Sequence, residues 1–195
     1  MDLKGKKVLV FGAGKSGIGA ADLLGSVEAQ PIIYDGNENL DKEAVLHKTN
    51  GTYTPEIWAG AFPEGEMESL DLVVLSPGVP TDLPLVKSFY EKGLPVWSEV
   101  ELAYRTGKGE VLAITGTNGK TTTTALLGKI MGDARESVFV VGNIGTAYTS
   151  KSLETREDSV TVAEISSFQL ETIEQFRPKV SAILNITEAV SYTHL

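Results

Sequence analysis

The chain of 195 residues is 42% hydrophobic and 22% charged, a balance that suits a globular protein with apolar material for one large core or two small ones. Its net charge of −9 argues against nucleic acid or another polyanion as a general partner, although one local positive site can still hold a small phosphate ligand. There is no cysteine, which excludes disulfides and thiolate metal sites, and no apolar run approaches the roughly 18 residues of a membrane span. Residues 1–10 carry charges and do not read as a signal peptide, so a cytoplasmic protein is expected.

In chain order, Lys6–Gly12 reads as a strand with a polar lead and an apolar body. It runs into Gly12-Ala-Gly-Lys-Ser-Gly17, and Ile18–Leu24 continues as an apolar helix. Gln30–Tyr34 is a second strand that ends at Asp35. This is a βαβ unit with the G-x-G-x-x-G pattern and an acid about twenty residues on, the spacing of a dinucleotide fingerprint. By itself the pattern means a tight turn and close helix–strand packing, and leaves open which phosphate compound binds there.

Asp41–Lys48 is helix-like, and Gly51–Gly60 is ambiguous, with Thr52, Tyr53 and Trp58 hinting at a strand. Leu70–Ser76 is a buried strand closed by the turn Ser76-Pro-Gly-Val-Pro80, at a carboxyl end where ligands of open α/β sheets collect. Pro84–Lys92 is a helix stopped by Gly93, and Pro95–Trp97 is a short strand. Ser98 and Glu101 have the spacing of a capping box at the start of a further helix. The small polar run Thr106–Gly109 is a natural boundary, dividing the chain into 1–106 and 107–195.

The second part opens with Val111–Ile114, a short apolar strand, followed by Thr115-Gly-Thr-Asn-Gly-Lys-Thr121 and a helix over Thr121–Met131. A strand, a glycine-bearing turn and Gly-Lys-Thr at a helix start make a phosphate cradle. Glycines let backbone N–H groups converge on phosphate oxygens, and the first-turn N–H groups face the same anion. Lys120 supplies a charge at the β/γ-phosphates, and the Thr121 hydroxyl suits a magnesium ion. Ile114 stands where the full G-x-x-x-x-G-K-[ST] pattern has glycine, so the loop is a shortened variant. Ser137–Gly142 is the next strand, and Val160–Glu164 delivers an acid at its carboxyl end, where a phosphate-bound magnesium needs a carboxylate. Pro178–Ile186 is a last parallel-type strand. His47 and His194 are poorly placed as catalytic bases.

Taken together, Gly12–Gly17, Ser76-Pro-Gly-Val79, Ser98-Glu-Val-Glu-Leu102, Thr115–Thr122, Gly142-Asn-Ile-Gly145 and Ala163-Glu-Ile-Ser-Ser-Phe-Gln-Leu170 resemble the Mur ligases of peptidoglycan synthesis, in the family's order. The likeness is to the D-glutamate-adding branch. It implies an α/β fold, with a Rossmann-like UDP-substrate domain followed by the first part of a P-loop-type ATP-binding domain. It also implies a reaction. ATP phosphorylates the terminal carboxylate of UDP-N-acetylmuramoyl-L-alanine, and the amine of D-glutamate displaces phosphate from the acyl phosphate.

On this resemblance ATP meets Gly116, Thr117, Asn118, Gly119, Lys120, Thr121 and Thr122, while Mg2+ is held by Thr121 and Glu164. Lys120, Glu164 and Asn143 form the catalytic set. The UDP substrate meets Gly14, Lys15, Ser16, Asp35, Ser76, Asn143, Ser166 and Gln169. A monomer is expected. The sequence departs from the family at Ala189 and Val190, which replace an acid and a magnesium-contacting histidine. Family members are more than twice as long, so these residues alone are expected to be inactive. A nicotinamide-dependent oxidoreductase, or a nucleotide-binding module, is the alternative that the glycine fingerprint allows.

Overall fold

A computed structural model describes residues 2–142 and 145–187 of the chain. The expected site residue Asn143 lies outside the described residues, as does the tail from Glu188 with the Ala189–Val190 departure.

The apolar runs of residues 8–11 and 72–75 are strands buried on both faces, the condition under which a parallel sheet is stable. Among the described residues β1 (Lys7–Phe11), α1 (Lys15–Ser26), β2 (Gln30–Asp35), α2 (Lys42–Leu46), β3 (Glu56–Ala59), β4 (Leu72–Leu75), α3 (Pro84–Glu91), β5 (Val96–Ser98) and α4 (Glu99–Thr106) build the first layer system. Its strands are all parallel, in the order β3-β2-β1-β4-β5. Alternate residues of β1 serve opposite cores, as the two-residue period of a strand requires. Val8 and Val10 join Ile18, Ala21 and Leu24 of α1, whereas Leu9 and Phe11 join Val86 and Phe89 of α3. Each such side chain, fully buried, contributes about 1.5–3 kcal/mol of transfer free energy.

A second parallel sheet, ordered β7-β8-β6-β9, is formed by β6 (Glu110–Thr115), β7 (Val138–Gly142), β8 (Val160–Glu164) and β9 (Val180–Ile183). Helix α5 (Lys120–Ala134) follows β6, and the short α6 (Ser167–Leu170) follows β8. The two sheets share α4. Leu102 lies in the core under β1 and β4, while Val100 and Ala103 lie in the core beneath β6, β7 and β8.

Four local expectations shift. Helix α1 begins at Lys15 rather than Ile18, because the polar first turn is already helical. The ambiguous stretch resolves into β3, a short edge strand over Glu56–Ala59. The final strand is confined to Val180–Ile183. The capping box at Ser98 is only half made: Ser98 Oγ accepts from Glu101 N at 3.2 Å, but Ser98 N donates to Thr172 O instead. The Glu101 carboxylate is drawn away to the second sheet's side, accepting from the backbone N–H groups of Glu174, Gln175 and Phe176.

Candidate functional site

In an open α/β sheet a crevice forms where the strand order reverses, outside the carboxyl ends. In the first sheet that point lies between β1 and β4, and the chain is shaped for a close approach there. Gly12 has φ +109°, and a Cβ on it would stand 2.8 Å from Ser76 Oγ. A Cβ on Gly17 would stand 1.8 Å from the Gly12 carbonyl oxygen, so only glycine lets α1 pack so near the turn. Gly14, by contrast, opens to free space and caps α1 without a side chain. The first-turn N–H groups that a helix leaves unpaired thus border a cleft of about 510 Å3. Five of the residues expected at a UDP site, Gly14, Lys15, Ser16, Asp35 and Ser76, line this cleft together.

Asp35 holds the turn. Its two carboxylate oxygens accept from Ala13 N and Asn37 N, each at 3.0 Å. Lys15 reaches the other way, its ammonium donating to the Gly145 carbonyl at 2.7 Å, across the seam between the two sheets. A second cleft of about 580 Å3 opens beyond it, between α1 and the segment Gly145–Ser150.

The second glycine turn lies at the carboxyl end of β6, between β8 and β9. Gly116 and Gly119 have φ +136° and +84°, and Gly119 caps α5. Lys120 folds inward, with Nζ donating to Gly116 O at 2.7 Å and to Thr117 O at 3.1 Å. Asn185 clamps the loop from the end of β9, a role that sequence reasoning missed. Its Oδ1 accepts from Asn118 N at 2.8 Å and its Nδ2 donates to Asn118 O at 2.9 Å. Thr121 and Thr122 are exposed on the first turn of α5.

Glu164 ends β8 in register with Ile114 of β6 on one side and Gly142 of β7 on the other. Gly142 is obligatory: it has φ +142°, and a Cβ would stand 2.2 Å from Glu164 O. Glu164 is only 2% exposed, and its Oε1 meets no hydrogen-bond partner among the described residues. A buried carboxylate oxygen left so is costly, about 1–3 kcal/mol or more, unless a cation completes it. Among the described residues no cluster of three or more His, Cys, Asp or Glu side chains could enclose a metal. An unpartnered carboxylate oxygen and an exposed hydroxyl are donors of the type magnesium takes when it uses one or two protein oxygens and draws the rest of its shell from phosphates.

Ser166 and Gln169 are occupied within the protein. Ser166 Oγ accepts from Gln169 N at 3.4 Å, and Gln169 Oε1 accepts from Ser166 N at 2.7 Å, a complete capping box on α6. Gln169 Nε2 then donates to Glu99 Oε1 at 2.7 Å. Burial pushes the Glu99 carboxyl up to about 7, a rise that the hydrogen bond from Gln169 only partly offsets. Two residues along α4, Glu101 is held below the usual carboxylate range. Burial alone would raise it, but Arg105 and three backbone N–H donors outweigh that. Thus the structure gathers the first-turn residues in one cleft and the Lys120 loop at the end of β6. It sets Ser166 and Gln169 in a buried network between the sheets.

The model of the Mur ligase MurD-like N-terminal domain matches residues 6–98, and that of the Mur ligase middle domain matches residues 114–190. The UDP-N-acetylmuramoylalanine–D-glutamate ligase of Lachnospira eligens is 60% identical over 187 residues, which are 96% of this chain and 41% of that protein. The enzyme of the same name from Lachnoclostridium phytofermentans is 58% identical over the same shares. The chain therefore spans about two-fifths of the length of these relatives. Among solved structures, the UDP-N-acetylmuramate:L-alanyl-gamma-D-glutamyl-meso-diaminopimelate ligase of Neisseria meningitides superposes with a TM-score of 0.57 at 16% identity. It covers 97% of this chain and 63% of that one, a likeness of fold.

Proposed function

We propose, for a chain that belongs to the Mur ligase family, that it forms the nucleotide-holding front of an ATP-dependent ligase joining D-glutamate to UDP-N-acetylmuramoyl-L-alanine. The observation that carries this reading is the buried Glu164 carboxylate, one oxygen without a partner among the described residues, beside a Gly-Lys-Thr turn on the neighbouring strand.

In this reading residues 1–106 are the UDP-substrate domain and 107–195 the first part of the ATP domain, in a cytoplasmic monomer. No helix among the described residues is long and apolar enough to cross a membrane. The N–H groups at the start of α1 receive the diphosphate in the cleft between β1 and β4, with Ser76 lining it beside the Gly12 turn. For Lys15 to meet that diphosphate, its ammonium leaves or shares the Gly145 carbonyl. The Lys120 ammonium, poised on two loop carbonyls, neutralises the β/γ-phosphates of ATP while Gly116, Thr117, Asn118, Gly119 and Thr122 shape the cradle. Mg2+, held by Glu164 and Thr121, would supply further charge neutralisation at the same phosphates. The substrate carboxylate attacks the γ-phosphorus and ADP leaves. The D-glutamate amine then attacks the acyl carbon and phosphate leaves as the amide forms. Asn143 is assigned to the substrate's peptide part.

The same glycine fingerprint serves nicotinamide cofactors elsewhere, but that reading leaves the Gly-Lys-Thr loop and the buried Glu164 without a role. Calorimetric titration tests the reading. Heat on adding the UDP substrate, with none on adding NADH, is expected; the reverse pattern overturns it. Mixed with ATP, D-glutamate and the UDP substrate, the 195 residues alone are expected to form no amide product.

A further inference from the structure

We propose that Glu99 is a positioning residue that, through Gln169, fixes the segment Ile165–Ser166 immediately after Glu164 and so sets the Glu164 carboxylate for its cation. The inference rests on the proposed role of Glu164.

The geometry is a relay of buried groups from one sheet to the other. Glu99 follows the last strand of the first sheet at its carboxyl end and is 4% exposed. Its Oε1 takes the Gln169 amide N–H at 2.7 Å, which orients the Gln169 side chain so that its own oxygen receives Ser166 N at 2.7 Å. Ile165 N donates to Ile114 O, tying the intervening residue to the strand that leads into the Lys120 loop. Between Glu164 and Ser166 the backbone therefore has two fixed points, one on β6 and one on Gln169. Without an acceptor at position 99 the buried Gln169 amide loses its partner, and the cheapest relief is to turn that amide away. Turning it releases Ser166 N as well.

Glu101 shows that burial on α4 does not by itself require this arrangement. Its carboxylate is saturated by Arg105 and three backbone N–H groups. Glu99, in contrast, meets one side-chain donor, and its Oε2 has no partner among the described residues. A buried carboxyl whose one side-chain partner is Gln169 is better explained by what Gln169 holds than by stability. The residues that hold a metal ligand in place typically cost 10–100-fold in metal affinity when removed.

The experiment is the binding of a non-hydrolysable ATP analogue, AMP-PNP, to the 195-residue chain in magnesium and in EDTA, with melting temperature recorded in parallel. Glu164→Gln is the reference for loss of the magnesium-dependent part. Glu99→Leu and Gln169→Leu are each expected to lower affinity in magnesium about tenfold, leave affinity in EDTA unchanged, and add nothing to each other when combined. Glu99→Gln keeps an acceptor and is expected to bind like the wild type. Glu99→Asp, too short to reach Gln169, is expected to bind like Glu99→Leu and serves if Glu99→Leu does not fold. Equal losses in magnesium and EDTA, or a lowered melting temperature with affinity intact, overturn the inference. Additive effects of the two leucine variants overturn it as well. A wild-type chain whose AMP-PNP binding ignores magnesium overturns the proposed role of Glu164, and this inference with it.

Discussion

The two glycine turns are made from the same ingredients and closed in opposite senses. In the first, a carboxylate gathers backbone N–H groups and the lysine reaches outward: Asp35 holds Ala13 and Asn37, while Lys15 spans the seam to Gly145. In the second, the lysine folds inward onto the loop's own carbonyls, and an amide holds the loop by donating and accepting at once. The first turn leaves open space in front of free helix N–H groups, suited to a ligand held largely by backbone donors. The second concentrates a single charge at its centre, suited to a ligand whose negative charge must be neutralised. Glycine between a strand and a helix thus specifies a turn; the side chains around it specify what kind of anion the turn can serve.

The largest expected effects are steric and break each turn in place. Gly17→Ala drives a methyl group against the Gly12 carbonyl, and Gly142→Ala drives one against Glu164 O at a backbone angle that disfavours it. Each should cost at least about 3 kcal/mol in chemical denaturation. Where a variant still folds, Gly17→Ala should abolish UDP-substrate heat, and Gly142→Ala should abolish magnesium-dependent nucleotide binding.

Next comes the charge that only the second turn concentrates. Lys120→Ala should weaken nucleotide binding by about 2 kcal/mol, roughly thirtyfold, with UDP-substrate affinity unchanged in the same titration. Equal losses at both ligands would erase the distinction between the turns.

The seam between them carries a pH signature. Because the folded Glu99 carboxyl sits near 7, above the ordinary value of 4.5, the native state holds the extra proton between those limits. Stability from this group is then fully present below about pH 4.5 and is lost as pH rises toward 7, by a few kcal/mol at most. Glu101 has the opposite sign, its contribution being present above its ordinary value and lost as pH falls through its lowered one. Melting temperature measured across pH 4–8 should show the first slope in the wild type and a flatter one in Glu99→Gln.

The smallest effects concern the side chains that hold the turns shut. Asp35→Ala and Asn185→Ala each remove hydrogen bonds to exposed or half-buried backbone, and each should cost about 1–2 kcal/mol in denaturant unfolding. Asp35→Ala should affect UDP-substrate binding alone, and Asn185→Ala nucleotide binding alone.

The central strands of the first sheet could be read from the sequence because a strand buried on two faces is apolar without interruption, as in Val8–Phe11 and Leu72–Leu75. The first cleft could be read for a similar reason, since its residues come from turns that the chain itself spells out. What could not be read was set by distant partners. The spacing of Ser98 and Glu101 promised a reciprocal cap, yet Arg105 and the N–H groups of residues 174–176 claim the glutamate. The bonds of Ser166 and Gln169 to each other and to Glu99 are not legible either, since Glu99 lies far earlier in the chain. Asn185 gave no local sign of its clamp, because its partner is a loop far earlier in the chain. Edge strand β3 stayed ambiguous because it is short and only one of its residues, Trp58, is buried.

Helix α4 contributes Leu102 to one core and Val100 and Ala103 to the other, with Glu101 and Arg105 fastened to the segment that follows α6. Neither sheet can shed that helix without exposing part of the other's interior. Melting should accordingly run as one concerted event over both halves, so that a substitution that destabilises either scaffold lowers a single shared transition while each cleft keeps its own ligand.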